Sequence, residues 1–220
     1  MLDSVAILSW AAPQAWTAAD NAGLKQWVSK WLYGWVLVKP GDSDRTTKNN
    51  HADFYDTLTA TCAFFVGNTT IVQRICANAP EDRIAVQVAV DGSLPAEERR
   101  TKSESYHAFA LTGLLDLAWI CRATPSTPDL FGFSSKDGRS LLSALDWLAP
   151  YADGKNWTAP QIIPFDTSAF VTIFRSAASG YPKHASRFAA LAGKQPGGST
   201  SRQSLLRPYT DVNLPKLGGT

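Results

Sequence analysis

The chain has 220 residues, 45% of them hydrophobic and 18% charged, with 21 Lys and Arg against 19 Asp and Glu for a net charge of +2. At roughly 150 residues per domain this is one domain, large enough to bury about 70% of its extended surface without a disulfide lattice or a metal staple. A near-neutral balance with no basic stripe excludes a nucleic-acid binder, and no apolar run of about 20 residues is present to form a transmembrane helix.

The hydrophobic period is close to 3.6 throughout, which predicts an all-α fold. A short helix is expected over 2–11, ending at Pro13. Thr17 is a good N-cap for a second helix that carries Leu24, Trp27, Val28, Trp31, Leu32 and Trp35 at steps of three and four, so its tryptophans are expected to pack a core rather than bind sugar. The polar run KPGDSDRTTKNN is a loop. Phe54, Tyr55, Leu58, Cys62 and Phe65 then mark a buried helix, stopped by Gly67-Asn68, with a partner helix running from Thr69 or Thr70 to about Ala79.

The apolar stretch 83–90 reads as a helical turn or one β-strand. After the loop DGSLPAEERRTKSE, a strong helix places Tyr106, Phe109, Ala110, Gly113, Leu114, Leu117 and Cys121 on one face, and Pro125 and Pro128 mark its end. A further helix with Leu141, Leu142, Leu145, Trp147 and Leu148 is closed by Pro150, and two more cover 167–178 and 182–191. A domain over 1–192 is followed by a Gly/Pro/Ser-rich tail over 193–220. Three cysteines, Cys62, Cys76 and Cys121, leave at least one free thiol, and all three are expected to be buried in helices. The N-terminus lacks the basic region and sustained apolar stretch of a signal peptide. The sequons at Asn68 and Asn156 would accept glycans only in a secreted chain.

Two segments concentrate chemically capable side chains at helix starts. One is Lys48-Asn49-Asn50-His51-Ala52-Asp53-Phe54-Tyr55-Asp56, in which Asn49 or Asn50 can cap while its neighbour faces a cleft. The other is Arg99-Arg100-Thr101-Lys102-Ser103-Glu104-Ser105-Tyr106-His107. In spacing and order, KNNHADFYD, then DGSLPAEERRTKSESYHAFAL, then DGRSLLSALDWLAPY resembles the alginate lyase family of polysaccharide lyases.

The resemblance implies an incomplete α/α toroid of antiparallel helical hairpins and cleavage of a polyuronate, alginate or glucuronan, by β-elimination. It implies Tyr106 as acid/base, with His51 either taking the C5 proton or tuning Tyr106. Asn50 with Arg99 or Arg100 would neutralise the uronate carboxylate, and Asn49, His107 and Lys102 would contact substrate. It implies no cofactor and no metal, an acidic polysaccharide as partner with no nucleic acid and no membrane, and an extracellular or periplasmic location. The matched portion corresponds to the C-terminal part of the family domain, so apolar helix faces left uncovered would favour a homo-oligomer.

The residue types suit that chemistry. Removing the weakly acidic C5 proton places charge on the adjacent carboxylate, which an amide and a guanidinium can stabilise. A phenol beside positive charge gives up its proton more readily, and in mannuronate and glucuronate C5–H and O4 lie on one side, within reach of a single group. Two other functions are compatible with the sequence. One is a non-catalytic carbohydrate-binding remnant. The other is a hydrolase on an α/α scaffold using Glu97, Glu98, Asp53 or Asp56, which would need two carboxyl groups about 6.5–9.5 Å apart if inverting.

Overall fold

The computed structural model describes residues 14–38 and 41–196, together with Val5, Leu8, Ser9, Ala11 and Ala12 ahead of them. The helix expected over 2–11 and the tail expected over 193–220 fall largely outside the described residues.

Among the described residues the architecture is all-α, and the sole β-type pairing is an isolated bridge between Lys102 and Gln161. Helix α1 (Ala18–Trp31) starts on a capping box in which the Thr17 hydroxyl accepts from the Asp20 amide while the Asp20 carboxylate accepts from the Thr17 amide. It runs on into a π-helical turn, Leu32–Val36. Within the sequence's helical stripe Val28, Leu32 and Val36 are buried, but Trp27 is 56% and Trp35 47% exposed. The expectation that these tryptophans pack a core is therefore corrected. They lie one position off the buried row and stack in series, Trp27 on Trp31 and Trp31 on Trp35.

Helix α2 (Asn50–Val66) ends at Gly67, whose φ of +87° is the left-handed C-cap that a side chain would resist. The two-residue connection folds α3 (Thr69–Ala79) back along α2, with the Asn68 side chain accepting from the Ile71 amide at the new helix start. The ambiguous stretch 83–90 is helical for most of its length. A π-helical turn, Pro80–Ile84, passes into a single α-turn, Ala85–Gln87, before the chain becomes extended at Val88.

A short helix α4 (Pro95–Glu98) leads to the longest helix, α5 (Ser103–Arg122). Then come α6 (Leu141–Ala152), α7 (Ser168–Gly180) and α8 (Ala185–Gly193). Pro150 does not close α6, which continues to Ala152.

Helices α2, α5 and α7 run parallel. The Phe54 ring stacks on Phe109 at 4.0 Å, and one turn later the Thr57 hydroxyl donates to the Gly113 carbonyl at 3.1 Å. In the same sense Trp119 Nε1 donates to Ser176 Oγ at 2.8 Å, and Arg122 Nη1 donates to the Gly180 carbonyl at 3.1 Å. Gly113 is what allows α2 to approach α5, since a Cβ there would lie 3.1 Å from that of Asp53. Parallel helices leave their N-termini on one rim, where α2 and α5 present the two polar segments.

Helices α3 and α8 return antiparallel to their partners, and the core between the layers is filled by Leu111, Leu114, Leu115, Phe170, Phe174 and Phe188, all essentially solvent-free. The expectation of three buried thiols is corrected at two positions. Cys76 and Cys121 form a disulfide that ties α3 to α5, while Cys62 is the free buried thiol, its ionisation pushed up to about 11 by burial.

Candidate active site

Asn49 has an extended backbone, and its side chain accepts from the His51 amide at 3.2 Å, so Asn49 is the cap of α2. That leaves Asn50 as the first residue of the helix with an amide that no helical carbonyl can reach. Glu97 of α4 supplies the partner. Its Oε1 accepts from the Asn50 backbone amide at 2.7 Å, and both its oxygens lie 2.9 Å from Asn50 Nδ2. Asn50 and Glu97 are both buried, and the positive end of the α2 dipole favours the carboxylate beneath it.

Glu97 also turns toward the second segment, with Arg100 Nη1 3.9 Å from its Oε2. The guanidinium of Arg100 lies 3.7 Å over the ring of Tyr106, which is half-buried at the start of α5. Thus one acid links Asn50 to Arg100, and Arg100 links onward to Tyr106. Sequence reasoning weighed Glu97 only as a hydrolase carboxylate. The local signal was its place three residues before Arg100, but its burial under Asn50 depends on the packing of α4 against the start of α2.

Arg99 is exposed and its Nε donates to the Pro95 carbonyl at 2.8 Å, back along its own helix. Of the two arginines, Arg100 is the one that joins the cluster. His51 projects into solvent at the rim, with Nδ1 3.3 Å from Asp44 of the preceding 3₁₀ turn, a partner that the sequence did not suggest. Lys102 is exposed at the residue before α5, where its backbone pairs with Gln161.

His107 is different from its expectation as a substrate contact. It has no exposed surface, its ring stacks on Trp147 at 4.6 Å and meets Trp157 edge-on, and burial pushes its ionisation down to about 3. It is a neutral wall of the core behind Tyr106, out of reach of any polymer in this conformation.

The carboxyl groups considered for hydrolysis are all otherwise engaged. Asp53 is solvent-free, accepts from Gln87 Nε2 at 2.6 Å, and is held well above the usual carboxylate range by burial. Asp56 pairs with Arg83 at 2.9 Å. Glu98 accepts from the Leu94 amide. Among the described residues no group of three or more His, Cys, Asp or Glu is arranged to hold a metal ion.

The parallel helices gather an amide, a guanidinium and a phenol at one rim, groups able to hydrogen-bond an anionic oxygen. A sequence profile of the alginate lyases matches residues 1–158, and the chain belongs to that family. The fold is similar to the crystal structure of an alginate lyase from Bacteroides ovatus, with a TM-score of 0.83 at 27% identity over 94% of this chain. The chain spans about half of that protein, 54% of its length. No curated protein matches.

Proposed function

We propose that this chain is a polysaccharide lyase that cleaves a 1,4-linked polyuronate, alginate or glucuronan, by β-elimination. The observation that carries the reading is the continuous contact from Asn50 through Glu97 to Arg100 and onto Tyr106, at the rim where α2 and α5 begin.

In this reading the uronate carboxylate is met by Asn50 and Arg100, which stabilise the charge that builds on it as the C5 proton leaves. Tyr106 or His51 removes that proton. The C4–O4 bond breaks as the C4–C5 double bond forms, and the departing O4 takes a proton from the same group or from His51. The Cys76–Cys121 disulfide supports an oxidising, extracellular or periplasmic location.

The test is ultraviolet absorbance over time with polymannuronate, polyguluronate and glucuronan in turn. A rise from the new double bond on one of them, abolished in Tyr106→Phe, is the expected result. A flat trace on all three from protein that is folded by circular dichroism would overturn the reading. Full turnover in Tyr106→Phe would overturn the role given to that residue.

A further inference from the structure

A cavity of about 920 Å³ lies away from the Tyr106 rim. It opens between α2, α3 and the 3₁₀ turn Gly41–Thr46, and its volume falls within the ~300–1,000 Å³ of small-molecule sites. Four cations face it, Arg45, Lys48, Arg74 and Arg83, against two carboxylates, Asp56 and Asp82. Arg83 and Asp56 neutralise each other at the buried floor. Arg83 Nε donates to Asp56, and its two other nitrogens donate to the carbonyls of Asp82 and Arg45, each at 2.9 Å. At the mouth Lys48 and Arg74 stand against Asp82, so the charge there is positive.

A second observation points to a hydroxyl-bearing ligand. Thr59 on the α2 wall is 1% exposed, and its Oγ1 has no hydrogen-bond partner among the described residues. A buried hydroxyl left unpaired is costly, and a ligand that meets it recovers that cost. Asn78, exposed on α3, adds a donor and an acceptor to the same wall. Lys48 at the cavity edge lies three residues before His51, so the cavity adjoins the rim in sequence.

We propose that this cavity binds a hexuronate unit, its carboxylate held by Lys48 and Arg74 and its hydroxyls by Thr59 and Asn78. The inference rests on the polyuronate reading for the identity of the sugar. The unit has two possible sources, an internal stretch of the polymer or a short released uronate.

The experiment is equilibrium binding of glucuronate, of mannuronate oligomers and of glucose to the whole chain, followed by amide chemical shifts. Binding of glucuronate or the oligomers, but not of glucose, is expected, with shifts at Thr59 and Asn78. Arg74→Ala and Lys48→Ala each weaken it about tenfold, as expected for one charge-assisted contact. Tight binding of oligomers with none of the monosaccharide assigns the site to the polymer, and binding of both assigns it to released uronate as well.

Wild-type affinity in Arg74→Ala and Lys48→Ala, or equal binding of glucose, would overturn the proposal. So would no binding of either acidic probe. Because binding is read without turnover, loss of affinity in Arg74→Ala alongside a flat ultraviolet trace would uphold the site and overturn only the lyase reading. Arg74 is exposed, so its removal leaves the fold intact.

Discussion

Glu97 accepts a hydrogen bond from the Asn50 backbone amide at 2.7 Å and holds Asn50 Nδ2 at 2.9 Å while itself only 1% exposed. A carboxylate buried this far from water persists only where the groups around it replace its hydration. Here two donors of Asn50 and the α2 dipole do so, and Arg100 contributes at longer range, 3.9 Å. The consequence is that the carboxamide of Asn50 has a fixed orientation before any substrate arrives.

Glu97→Gln should therefore lower turnover on the polyuronate by about a hundredfold, because an Nε2 donor would face the Asn50 donors and misplace the amide by an ångström or so. The affinity for polymer should change much less, since Glu97 does not itself reach the solvent. Steady-state rates from ultraviolet absorbance, with KM and kcat separated, provide the check. An unchanged kcat would show that Asn50 does not need this support.

Arg99 and Arg100 cannot be told apart by spacing, yet they occupy opposite situations. Arg100→Ala should remove most activity, as it takes away both the contact to Glu97 and the cation over Tyr106. Arg99→Ala should stay within about twofold of the wild type, since its guanidinium turns back to the Pro95 carbonyl. Assay of the two variants side by side decides the assignment, and a reversed order would move the neutralising role to Arg99.

The all-α fold, the helix starts at Thr17 and Asn50 and the stop at Gly67 were legible because each depends on neighbours within four residues. Local logic left the cap open between Asn49 and Asn50, and only the extended backbone of Asn49 and its bond from the His51 amide decide for Asn49. What was not legible depends on residues far apart in the chain. The Glu97 link spans 47 residues and the Cys76–Cys121 bond 45, and neither leaves a periodic trace. The Trp27 and Trp35 exposure was misread because a stripe at steps of three and four fits two adjacent helix faces, and only packing decides which is buried. His107 was misplaced for a related reason, being one residue beyond Tyr106 and so about 100° around the helix, toward Trp147.

The turn Asp91-Gly92-Ser93, part of the motif that revealed the family, has a structural reason for its glycine. Gly92 has φ +90°, and a Cβ there would lie 2.3 Å from the Ser143 carbonyl oxygen at the start of α6. Gly92→Ala should then cost at least about 2 kcal/mol through backbone strain and the lost approach of α6. Denaturant unfolding followed by circular dichroism would show the shift in midpoint. A midpoint equal to that of the wild type would mean that α6 moves away without cost.

Cys76 and Cys121 close a loop with a sequence separation of 45 between α3 and α5. In the chain-entropy description a crosslink of that span stabilises the fold by about 4 kcal/mol at 25 °C. The Cys76→Ser, Cys121→Ser double variant should lose that amount while retaining native circular dichroism. Dithiothreitol should lower the wild-type midpoint toward that of the double variant and leave the variant itself unmoved. Identical midpoints in all four conditions would show that the two sulfurs are not bonded in solution.

Glu104 sets a pH dependence whose sign can be worked out. It is 2% exposed on the first turn of α5, and burial, with Asp166 adding repulsion against the Ser105 hydrogen bond, raises its ionisation from the usual 4.5 to about 7. A raised acid holds its proton more tightly in the folded state, so its stabilising contribution is complete below about 4.5 and is lost as pH rises to about 7. His107 works in the opposite direction, losing stability as pH falls from 6.5 toward about 3, but it is common to the wild type and to a Glu104→Gln variant. The difference in unfolding free energy, wild type minus Glu104→Gln, should thus decline steadily between about 4.5 and about 7 and be flat on either side. Thermal or denaturant unfolding of both proteins across that range measures it, and a difference independent of pH would show that Glu104 is as well solvated in the folded chain as in the unfolded one.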